Sequence, residues 1–122
     1  MDSPYKGKTG LRRICNALGY SLSGLAAAYR NVDAFRQEVL MALILVPLAF
    51  YLGEDALERA LMIASVMFVI IVELLNSAIE ATVDRISLEN HSLAKRAKDI
   101  GSAAVLLSLI NLVVVWGLLI FA

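Results

Sequence analysis

A single cysteine, Cys15, stands in the 122 residues, so no intrachain disulfide can form, and this side chain is expected to act as a small apolar residue on a helix face. Neither sign of charge is in excess: eleven basic and eleven acidic residues cancel. That balance gives no indication of a nucleic-acid partner, and none is expected. The chain has no GxxxxGK[ST] loop and no HRD or DFG triplet, and it is too short for two lobes, which excludes the soluble nucleotide-binding folds. Its first ten residues, MDSPYKGKTG, lack an apolar h-region, so no cleavable signal peptide is expected and the mature chain is expected to begin here. Charge is scarce altogether: 18% of residues are charged against 60% hydrophobic, a composition that marks a membrane protein.

Periodicity then divides the chain. Leu11, Ile14, Cys15, Leu18, Leu22 and Leu25 recur at helical spacing with Arg12, Arg13 and Asn16 off the stripe, which predicts an amphipathic surface helix within residues 1–31. Lys6, Lys8, Arg12 and Arg13 suit anionic headgroups. Gly19 and Gly24 weaken this helix but permit close approach. Three apolar segments follow, at 34–52, 56–85 and 100–122, read as membrane spans, and the third has ample length for a hydrocarbon core of about 30 Å at 1.5 Å per residue. The chain is therefore expected to be an all-α membrane protein forming one integral-membrane domain. Gln37 and Glu38 are expected near the interface, Pro47 is placed to kink the first span, Gly53, Glu54 and Asp55 form a short turn, and Ile86 to Ala97 form a polar loop. Arg12, Arg13, Arg30 and Arg36 precede the first span and Arg85, Lys95, Arg96 and Lys98 follow the second, whereas the first connection holds only Arg59. The N-terminus and the second loop are expected to be cytoplasmic.

The second span carries what a lipid-facing helix does not need: Glu73, Asn76, Glu80 and Asp84. At roughly 100° per residue, 73, 80 and 84 fall within about 40° of one another and Asn76 about 60° to one side, so the four line one stripe. Ionisable groups at that depth are costly and usually functional. With Asp84 at the cytoplasmic surface, Glu80 lies about 6 Å deeper and Glu73 about 16 Å deeper along the axis. Glu80 with Asp84 could hold Mg²⁺, and Lys98 could meet phosphate oxygens. Glu73 sits where a lipid hydroxyl near the headgroup level could reach it, and an acid at that depth could deprotonate a lipid alcohol. The plain structural alternative is that Glu80 or Asp84 pairs with Arg85 or Lys98. Three short spans cannot enclose both a nucleotide and a lipid, so oligomerisation is expected.

The blocks GYSLSGLAAAYRN, AFRQE, VIIVELLNSAIEATVDRI and HSLAKRAKDIGSAAVLL resemble the small integral-membrane diacylglycerol kinases of bacteria, over about residues 10 to 110. The resemblance implies a homotrimer in the bacterial inner membrane, with composite sites between protomers that transfer the γ-phosphate of MgATP to diacylglycerol and so recycle it as phosphatidic acid. It implies that Glu73 is the general base, that Glu80 is a metal ligand close to ATP, and that Asn76 supports both. Lys98 and Asp99 match the nucleotide-contacting pair, and Glu89, Asn90 and His91 the loop that touches adenosine. Arg13 and Tyr20 match contacts from the surface helix, while Ser102 and Trp116 match positions near the lipid. His91 has a plain alternative as an exposed loop residue, and Trp116 as an interfacial anchor. One departure concerns the metal. Where the family has a second acidic ligand just before AFRQE, the ungapped match puts Val32, with Asp33 one position later. Asp33 can stand in if the backbone there is non-helical; otherwise Mg²⁺ leans on Glu80 and the ATP phosphates. Two other functions compete with this one: a kinase for another lipid alcohol such as undecaprenol, and a small proton-coupled transporter, although the latter type has four spans and one buried acid. A structural membrane subunit whose acids pair with partner helices is a third.

Overall fold

The computed structural model describes residues 9–86 and 91–122. It contains four helices and, among the described residues, no strand: α1 (Gly10–Asn31), α2 (Asp33–Leu52), α3 (Ala56–Ile86) and α4 (Ser92–Phe121). The last three are each long and apolar enough to cross a membrane. At 1.5 Å per residue the 31 residues of α3 reach about 46 Å, well beyond a bilayer core of about 30 Å, so this helix has length to carry polar side chains past the apolar region.

Each connection has its own physical cause. Val32 alone leaves helical geometry between α1 and α2, at φ −121° and ψ 108°. Arg36 then ties the corner together, donating to the carbonyls of Tyr29 (2.6 Å) and Arg30 (3.0 Å) and pairing with Asp33. Arg36 thus satisfies two helix-end carbonyls that would otherwise be orphaned, and Asp33 holds its guanidinium in place. Between α2 and α3, Gly53 N donates to Ala49 O at 2.9 Å. The Asp55 carboxylate accepts from Glu58 N (2.8 Å) while Glu58 accepts from Glu54 N (3.2 Å), a reciprocal cap for α3. A Cβ at position 53 would lie 2.9 Å from Ala49 O and crowd Arg59, which leaves glycine as the residue that fits.

One boundary differs from the sequence expectation. Residues 92–97, assigned to a polar loop, are the first turns of α4. His91 starts that helix: its Nδ1 accepts from Leu93 N at 3.1 Å and its carbonyl from Lys95 N at 2.9 Å. Polar composition concealed the helix because Lys95 and Asp99, one turn apart, pair at 2.6 Å on its exposed face.

The core is small and lies where α2, α3 and α4 meet: Ala49, Met62, Val66, Val69, Leu112 and Trp116. Large apolar side chains such as Leu43, Phe68, Leu75, Leu107 and Val113 remain exposed on the same helices, as expected of a surface whose solvent is lipid. Trp116 fastens α4 to α3. Its indole Nε1 donates to Met62 O (3.2 Å) and Ser65 Oγ (3.1 Å), and Ser65 Oγ donates in turn to Met62 O (2.7 Å). The tryptophan is buried in the bundle, so the interfacial-anchor alternative does not describe it within this chain. Trp116→Phe keeps the ring and removes the donor. It is expected to destabilise the bundle by about 1 kcal/mol, the scale of a hydrogen bond inside a membrane protein, read as a lower unfolding temperature in detergent micelles.

Candidate active site

The buried face of α3 carries the polar stripe. Glu73 is 4% exposed and its Oε2 accepts from Ser77 Oγ at 2.9 Å, one turn on. Asn76 is 8% exposed and its Nδ2 donates to Glu80 Oε1 at 3.3 Å. Glu80 is half-buried and Asp84 exposed, so exposure rises along the helix from base to mouth. At the mouth, Lys98 of α4 reaches Asp84 Oδ1 at 2.6 Å. The plain alternative of an ion pair therefore holds for Asp84 in this chain. Glu80 accepts from an amide through Oε1 instead, and among the described residues its Oε2 has no hydrogen-bond or ion-pair partner.

The structure adds a carboxylate that sequence reasoning did not include in the site. Glu38, expected near the interface, is buried in α2 at 8% exposure, with Oε2 unpartnered among the described residues. It lies close enough to Glu73 for the two charges to act on each other. Two buried carboxyls in one bundle interior are expensive. The signal was present in the sequence: Glu38 is five residues inside an apolar span, and only its nearness to the span's start suggested a solvated position. Ser77, four residues after Glu73 and thus on its face, was also legible by spacing and was passed over.

The other anticipated residues are distributed as follows. Arg13 and Tyr20 lie exposed on α1, Ser102 is exposed on α4, and His91 is the exposed cap described above. Asp99 is paired with Lys95. Glu89 and Asn90 lie outside the described residues. Asp33 opens α2 immediately after the extended Val32, so the non-helical step exists, but its carboxylate is engaged by Arg36 and open to solvent. No cluster of three His, Cys, Asp or Glu side chains suited to a metal occurs among the described residues. The half-buried Glu80 carboxylate nevertheless fits Mg²⁺, which takes hard oxygen ligands, often one or two carboxylates together with substrate phosphates. If Asp33 takes any share of the metal, Asp33→Ala raises the Mg²⁺ concentration needed for half-maximal activity; an unchanged titration would remove it from the site.

A cleft of about 600 Å³ opens between α1 and α3, lined by Gly24, Leu25, Ala28, Leu74, Ser77 and Ala81. Its walls are apolar apart from a few hydroxyl and amide groups, and Ser77 connects it directly to the Glu73 carboxylate.

A bundle of three membrane-crossing helices, with a buried carboxylate stripe that surfaces beside a lysine, defines a multi-pass membrane protein built around an intramembrane polar site. A family profile described as prokaryotic diacylglycerol kinase matches residues 19–120. A diacylglycerol kinase of Pseudomonas aeruginosa is 60% identical over 114 residues, covering 93% of both chains. One of Escherichia coli is 54% identical over 114 residues at the same coverage, and one of Haemophilus influenzae is 51% identical over 113 residues, covering 93% of this chain and 96% of its own. The chain belongs to the prokaryotic diacylglycerol kinase family.

Proposed function

We propose that the chain transfers the γ-phosphate of ATP to the free hydroxyl of diacylglycerol, with Glu73 as general base and Glu80 as the protein's ligand to Mg²⁺. That the chain is a lipid kinase acting on diacylglycerol rests on its family and on relatives of that name along almost its whole length. The observation that carries the residue assignment is the link from the apolar cleft through Ser77 to Glu73. A lipid held in that cleft presents its headgroup to a carboxylate whose other neighbours are protein.

In the transfer, Glu73 takes the proton of the lipid hydroxyl as the new oxygen to γ-phosphorus bond forms. The bond from γ-phosphorus to the bridging oxygen breaks, and ADP leaves with that electron pair. The products are phosphatidic acid, ADP and a protonated Glu73 that must return its proton to water. Ser77 orients the carboxylate through its hydroxyl. Asn76 orients Glu80. When bound, the metal ion neutralises charge on the β- and γ-phosphates. Lys98 moves from Asp84 to phosphate oxygens, with Asp99, Glu89, Asn90 and His91 on the nucleotide side and Ser102 and Trp116 on the lipid side.

α1 completes the picture as an amphipathic helix. Leu11, Ile14, Leu18 and Leu22 are each largely exposed along it among the described residues, and Arg13 and Tyr20 share its surface. A membrane surface and neighbouring copies in a homotrimer would cover them and close the nucleotide site. The basic residues around α1, α3 and α4 favour a cytoplasmic N-terminus in the bacterial inner membrane.

The test is transfer of label from γ-labelled ATP in the presence of Mg²⁺ to diacylglycerol and, separately, to undecaprenol in detergent micelles. Label in phosphatidic acid supports the reading. Label only in undecaprenyl phosphate would keep the chemistry and change the substrate, whereas no label in either would overturn it.

A further inference from the structure

Gly101 is buried on α4 where that helix crosses the polar stripe. A Cβ at this position would collide with Asn76 Oδ1 and come 3.1 Å from its Cγ. The glycines elsewhere in the helices are different: at Gly19, Gly24 and Gly117 a Cβ would meet nothing within 4 Å. A glycine inside a helix costs about 1 kcal/mol relative to alanine, so at position 101 the missing side chain has a local use. Asn76 Oδ1 is buried with no hydrogen-bond partner among the described residues. The carboxamide is therefore held by its single bond to Glu80 and by the shape of the surface it lies on.

We propose that Gly101 is a positioning residue for phosphate transfer: its bare Cα forms the seat of the Asn76 carboxamide, which keeps Nδ2 directed at Glu80 and the remaining Glu80 oxygen directed at the metal. This rests on the assignment of Glu80 as metal ligand. A methyl group at 101 forces Asn76 into another rotamer, and the 3.3 Å bond to Glu80, already long for an amide donor, does not survive such a swing. The defect belongs to the metal and nucleotide side, since Glu73 and Ser77 make their bond without Asn76.

Four full-length proteins test this: the wild type, Gly101→Ala, Asn76→Ala and the double variant, each purified in detergent. Without metal or nucleotide, Gly101→Ala is expected to lower the unfolding temperature by several degrees in the wild-type background. In the Asn76→Ala background it is expected to leave that temperature unchanged or raise it, because the obstacle is gone and alanine favours helix. In kinase assays Gly101→Ala should raise the Mg²⁺ midpoint about tenfold, the scale of one lost hydrogen bond to a charged group, with the apparent KM for diacylglycerol little changed. Equal thermal losses in both backgrounds would overturn the seat, and an unchanged Mg²⁺ midpoint in folded Gly101→Ala would overturn its role. Should Gly101→Ala not fold, the double variant compared with Asn76→Ala still decides the contact. The Mg²⁺ midpoint of Asn76→Ala then decides the role, which is lost if that midpoint is unmoved. An unmoved midpoint in Glu80→Gln would sink the assignment of Glu80 instead, leaving the thermal result standing.

Discussion

Glu73→Gln is expected to reduce label transfer to diacylglycerol by at least about a thousandfold, within the range set by loss of a positioned general base, while the protein still binds ATP. The substitution suits the geometry. Glutamine has the same shape, its amide oxygen can accept from Ser77 Oγ as Glu73 Oε2 does at 2.9 Å, and the buried site gains no cavity. What disappears is the capacity to take a proton. Without it, the lipid hydroxyl must attack with its proton attached or lose it to water, and burial of the site at position 73 leaves little water to serve. Binding of a nucleotide analogue, followed by fluorescence or calorimetry, separates this loss from misfolding. Activity retained within tenfold would show that another group takes the proton, and the first to examine would be Glu38, the other buried carboxyl of the bundle.

The sequence revealed most of this site because its main members share one helix. Glu73, Ser77, Glu80 and Asp84 recur at three- or four-residue multiples, with Asn76 just off the row, so a single period places them together whatever the rest of the chain does. The three membrane-crossing helices were legible for the same reason: apolar length is a local property. Features that depend on two helices were less accessible. Glu38 looked like an interfacial residue because nothing in α2 records how closely α3 approaches, and its burial beside Glu73 is a consequence of packing. Trp116 gave no sign of whether its indole would face lipid, water or Ser65. Gly101 lay within the AKDIGSAA block without any indication that Asn76 would fill the space above it. The start of α4 was missed through composition, since residues 92–97 are polar enough to read as a loop, and only the His91 cap and the Lys95 to Asp99 pair show the helix beginning there.

Glu80→Gln is expected to lower kcat/KM for MgATP about a hundredfold, the equivalent of ~3 kcal/mol, and to raise the Mg²⁺ midpoint at least as far as Gly101→Ala does. The reason lies in how few ligands the chain offers. Among the described residues no third carboxylate or imidazole joins a metal cluster, Asp84 is neutralised by Lys98 at 2.6 Å, and Asp33 is held by Arg36. Glu80 is the stripe carboxylate near the mouth that no cation pairs with among the described residues, so loss of its charge leaves Asp84, once Lys98 has moved to the phosphates, as the nearest substitute one turn further out. The amide oxygen of glutamine can still accept from Asn76 Nδ2, which keeps the local fold and confines the change to charge. KM for diacylglycerol should stay close to that of the wild type, since the cleft between α1 and α3 is lined by Ser77 and not by Glu80. A parallel fall in lipid affinity would mean that Glu80 supports the acceptor side as well. A Mg²⁺ midpoint that did not move would place the metal on ATP phosphates and on residues of a neighbouring copy.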